Sequence, residues 1–138
     1  MSHVSKVANL IITDLNALES AAARRGLRLV RDQHTFKSFE GRSGNKCEHA
    51  LVLINADANS YEIGLVKRPD GSYETFYDNW GPGRALQLAI TGVAGSVPGL
   101  IDEYGYEVVA QLAEELGHHV TREVLADGSI VADEVVSY

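Results

Sequence analysis

The chain is poor in the residues that cross-link proteins or announce a reaction. One Cys in 138 residues excludes an internal disulfide and suits a reducing compartment, so a cytoplasmic setting is the expectation. No apolar run approaches the roughly 18 residues that cross a bilayer. The opening MSHVSKVANL has neither an uninterrupted hydrophobic region nor a cleavage pattern, so a soluble protein with no membrane partner is expected. Cations are scarce as well: 12 Lys and Arg against 19 Asp and Glu leave a net charge of −7. That balance argues against broad nucleic-acid binding, which needs a basic face. Catalytic signatures are missing. The P-loop spacing is absent, and Gly95-Ser96-Val97-Pro98-Gly99 resembles a nucleophile elbow with the wrong spacing.

What is present is an ordinary globular composition, 45% hydrophobic and 22% charged, which reads as one domain spanning residues 1–138. A chain of this size buries roughly two-thirds of its unfolded surface without staples. Residues 46–83 organise the rest, with predicted strands at 47–54, 61–67 and 73–80. Between the last two, Arg68-Pro69-Asp70-Gly71 is a turn, because Pro presets φ and Gly supplies a positive one. Residues 7–13 read as a strand, Asp14 as an N-cap, 15–25 as a helix closed by Gly26, and 27–31 as a strand. The chain thus opens with a β-α-β unit. After Gly81-Pro82-Gly83, a helical region breaks near Gly95 and Pro98, and 100–116 forms a second helix. Its buried stripe is read as Ile101, Tyr104, Val108, Leu112 and Leu116, with Glu103 and Glu107 off it. A hairpin of 118–125 and 130–136 turns at Asp127-Gly128. The expected fold is α+β in two layers, a mainly antiparallel sheet with its helices on one face.

Four groups of residues are candidates for chemistry. Cys47 and His49, two apart on a predicted strand, share a face and are a conceivable zinc pair or nucleophile–base pair, with His3, His34, His118 and His119 as further ligands. Zinc is the less favoured alternative, since a packed thiol beside a hydrogen-bonded imidazole explains the same residues. The loop of residues 41–46 offers Arg42 and Lys46 with two glycines to a phosphate; a solvated connection is the simpler reading. Glu62, Glu74 and Asp78 are paired-carboxylate candidates, against a half-solvated strand face. Tyr73 and Tyr77, with Trp80 at the strand end, are candidates for ligand or partner contact, against plain packing.

Met1-Ser2-His3, Lys46-Cys47-Glu48-His49-Ala50, Tyr61-Glu62-Ile63-Gly64, Asp70-Gly71-Ser72-Tyr73-Glu74, Trp80-Gly81-Pro82-Gly83 and Ala126-Asp127-Gly128-Ser129-Ile130 together carry a resemblance. In them the chain resembles a family of small proteins of plastid genomes, cyanobacteria, other bacteria and some phages, known as a conserved chloroplast reading frame. The segment between Phe39 and Lys46 is shorter here than in many of that family. The resemblance implies no catalytic residues, because the family has no settled activity. It does imply a partner, since bacterial and phage members are often encoded near AAA-type ATPases. With no catalytic signature, the expected function is a non-enzymatic protein-binding or adaptor module, with such an ATPase as its partner. The alternatives are a small-molecule or nucleotide binder, which can be a homo-oligomer, and a metal-dependent or cysteine enzyme at Cys47 and His49.

Overall fold

The computed structural model describes residues 4–93 and 96–135. Strand β1 (Val4–Ile12) leads through helix α1 (Leu15–Arg24) to β2 (Leu27–Arg31). A long connection then precedes β3 (His49–Leu53), β4 (Ile63–Lys67) and β5 (Tyr73–Asp78). The order across the sheet is β1-β5-β4-β3-β2, and every neighbouring pair is antiparallel. Four antiparallel steps make β1 and β2 parallel edge strands, so the opening β-α-β unit spans the full width of the sheet.

A single 3-10 turn (Gly81–Gly83) enters α2 (Arg84–Thr91), which Gly92 ends at φ 70°. After α3 (Leu100–Glu115), β6 (His119–Val124) and β7 (Ile130–Val135) form a separate two-stranded sheet. The α+β expectation therefore holds, as does the C-terminal hairpin. Val136, expected at its end, and Gly95, expected at the helix break, lie outside the described residues.

The helices share one face of the sheet. Ala17, Leu18, Ala21 and Ala22 of α1, Leu86 and Ile90 of α2, and Leu100 and Tyr104 of α3 pack on Leu29, Leu51, Ile63, Leu65 and Tyr77. Small residues on α1 let it lie close to the strands, and the Asp14 carboxylate caps it by accepting from the Ala17 N–H at 3.0 Å. The other face is partly covered by the connection of residues 32–48. There the Phe36 ring occupies the space that a Cβ on Gly64 would need, 2.2 Å away. A side chain at position 64 would overpack that contact.

The stripe of α3 differs from expectation. Glu103 and Glu107 are buried, at 2% and 8% exposure, while Leu112 and Leu116 stand at 56% and 72%. Tyr104 and Val108 of the expected stripe do meet the core, but Glu103 and Glu107 turn inward beside them because α3 meets Arg24 of α1 and Arg122 of β6. Glu103 takes the guanidinium of Arg122 in a short ion pair, and Glu107 takes that of Arg24 at 2.9 Å. Both guanidinium groups also lie over the Tyr106 ring, at 5.6 and 5.9 Å.

Candidate functional site

Cys47 and His49 sit at one end of the sheet and bond to different partners. Glu48 falls in a bend, so Cys47 lies outside β3 and the expected strand alternation breaks. Its thiol donates to the Gln33 carbonyl at 3.1 Å and is buried. Burial first, then the Glu48 and Glu62 carboxylates, push the thiol up to about 11, opposite to what a nucleophile needs. His49 Nδ1 accepts the N–H of Asp32 at 2.9 Å, which places the proton of a neutral ring on Nε2, facing the Tyr73 hydroxyl at 3.3 Å. Asp32 has φ 60°, and this bond holds the chain where it leaves β2 in that left-handed turn. Among the described residues no group of three His, Cys, Asp or Glu side chains converges as a metal site.

The basic loop is exposed but bonds largely to the chain's own groups. Asn45 donates to the Phe36 and Gly41 carbonyls and to the Ser38 hydroxyl, so its amide fills the loop. Arg42 forms a two-pronged pair with Glu62, which holds its guanidinium above the usual range through that hydrogen bond. Glu62 also accepts from Gln33 and from the Lys37 N–H. Lys46 is exposed beside the shallow groove of Phe36, Phe76 and Val66. The three candidate carboxylates are dispersed: Glu62 serves the loop, Glu74 faces Lys6 and Arg68, and Asp78 is wholly buried.

Asp78 is the centre of the site the structure does assemble. Its two oxygens divide between two segments, one accepting the Phe39 N–H at 2.9 Å and the other the Trp80 N–H at 2.9 Å. Gly83 tightens the same corner, since a Cβ there would stand 1.7 Å from the Asp78 carbonyl oxygen. Tyr61 packs nearby, its phenol pushed up by burial and then by the Asp78 carboxylate. The clamp presents the Phe39 and Trp80 rings edge to face at 5.0 Å, and they remain 53% and 51% exposed. Tyr77 is in the core at 8% exposure and Tyr73 packs against it, so neither joins Trp80 in a surface.

Two grooves flank this aromatic ridge. One, of about 490 Å³, is lined by Asn79, Trp80, Arg84, Gln87, Leu88 and Thr91. The other, of about 390 Å³, runs past Phe39 between Lys37, Asn59, Tyr61 and Pro82. Phe39 escapes sequence reading because its loop neighbours are polar and only Asp78, 39 positions away, draws it to Trp80. No family model matches the chain, and no curated protein or solved structure matches it significantly.

Proposed function

We propose that this protein is a non-enzymatic binding module that engages a protein partner through the Phe39–Trp80 ridge. The observation that carries this reading is a pair of half-exposed aromatic rings in contact with each other, their backbone N–H groups both bonded to one buried carboxylate. Aromatic anchors dominate protein interfaces because they contribute large contact area at low entropy cost. Holding them in place before binding reduces that cost further. The groups that would run chemistry are occupied elsewhere: the thiol is protonated against a carbonyl, and the imidazole supports a turn. The family resemblance makes an AAA-type ATPase the first partner to try.

The test is native mass spectrometry of protein purified gently from its own host, followed by binding measurements with whatever protein accompanies it. Phe39→Ala and Trp80→Ala are each expected to weaken that complex by about thirtyfold, the scale of an interface hot spot. Cys47→Ala is expected to bind normally. Full binding by the two aromatic variants, with unfolding midpoints unchanged, would sink the reading. A small-molecule adduct in place of a protein would favour the ligand-binding alternative.

A further inference from the structure

The ridge separates two concavities, and among the described residues neither is lined by a carboxylate although the chain carries 19 of them. Each holds one cation: Arg84 in the groove along α2, Lys37 in the groove past Phe39. Arg84 is exposed and makes no ion pair with any described residue. The Lys37 ammonium rests on the Ala58 carbonyl and makes no ion pair with any described residue. Arg25 adds a third cation at the far end of α2, where its guanidinium donates to the Leu88 and Ala89 carbonyls. On a molecule of net charge −7 the described side chains lining both grooves are cationic or neutral, with the exposed Glu40 next to Phe39 in the chain.

From that charge pattern we infer that the partner segment is acidic and carries an apolar side chain. The apolar residue packs on Phe39 and Trp80, and Asp or Glu residues on either side of it reach Arg84 and Lys37. The amides of Asn79 and Gln87 are placed to bond the segment's backbone along the wider groove. Complementary charge would set register and speed encounter, and the aromatic crest would supply most of the affinity. A basic segment would meet two cations here and be rejected. This inference rests on the binding-module reading and adds the chemistry of what is bound.

A phage-displayed library of random dodecapeptides selected on the intact protein tests it. Selected peptides are expected to place a Leu, Phe or Trp within a few positions of Asp or Glu, and labelled copies bind with an affinity that falls as salt rises. Arg84→Glu is expected to weaken the best acidic peptide about tenfold and to shift selection towards Lys and Arg. Circular dichroism and the unfolding midpoint confirm that each variant is folded. Peptides without acidic enrichment, or equal binding by Arg84→Glu and Lys37→Glu, would overturn the inference. The underlying reading survives if Trp80→Ala still abolishes binding in that case. Both fall if Trp80→Ala binds as the parent does, or if no peptide is enriched.

Discussion

The thiol of Cys47 shows how a single side chain is assigned by its surroundings. It donates to a carbonyl, is buried, and lies near two carboxylates, so its folded pKa of about 11 exceeds that of a free thiol at about 8.5. At pH 8 its thiolate fraction is then roughly two-hundredfold below that of free cysteine, and alkylation by iodoacetamide should slow by about that factor. The sign of the linkage follows from the raised value. The protonated thiol's contribution to stability is intact below about pH 8.5 and is lost as pH rises towards 11. Denaturation at neutral and alkaline pH should show that loss, and Cys47→Ala should remove it. Zinc in slight excess should leave the unfolding midpoint unchanged. A zinc-dependent rise that disappears in Cys47→Ser would restore the metal reading.

Among the elements, α3 departs furthest from its sequence pattern. Its outer face exposes Val109, Leu112 and Leu116, while two glutamates face inward to arginines from α1 and β6. A two-stranded sheet is marginal by itself, so the β6–β7 hairpin depends on this contact with α3. Glu103→Leu leaves the half-buried Arg122 guanidinium without its partner and should cost about 2 kcal/mol, less than for a fully buried pair. Hydrogen exchange should speed up in the amides of β6 and β7 before those of β3 and β4. Replacing both Glu103 and Arg122 by Leu should recover most of the loss, since a packed apolar pair often matches a buried ion pair. Unchanged hairpin exchange in the single variant would show that other contacts hold it.

The two hairpin turns are the elements most legible in the sequence. Arg68–Ser72 and Leu125–Ser129 close with the same backbone bonds, and in each an Asp oxygen accepts the amide and hydroxyl of the Ser two residues on. Those bonds hold both Asp carboxyls below the usual range. Asp-Gly-Ser encodes this locally, and Gly71 and Gly128 take the positive φ the turns require, 89° and 88°.

For the molecule as a whole, charge sets the expectation. With a net charge of −7 it should fail to retard duplex DNA even at about 50 mM salt, where phosphate contacts are strongest. Retardation at that salt would show that the basic ridge flanks act on nucleic acid. Among the described residues no helix is long and apolar enough to cross a membrane.

The sequence by itself determined what local chemistry controls: the alternating strands, the Asp14 cap, the glycine-closed end of α1 and the two Asp-Gly-Ser turns. Each is settled by neighbours within a few positions. Only the tertiary structure decided which polar residues are buried and which aromatics are shown. Glu103 faces inward because Arg122, 19 positions on, comes from another element. Tyr77 lies in the core because helices cover its face of the sheet, and Phe39 meets Trp80 because Asp78 bonds both backbones. Such partners are distant in sequence, and no local pattern encodes the free energy they exchange.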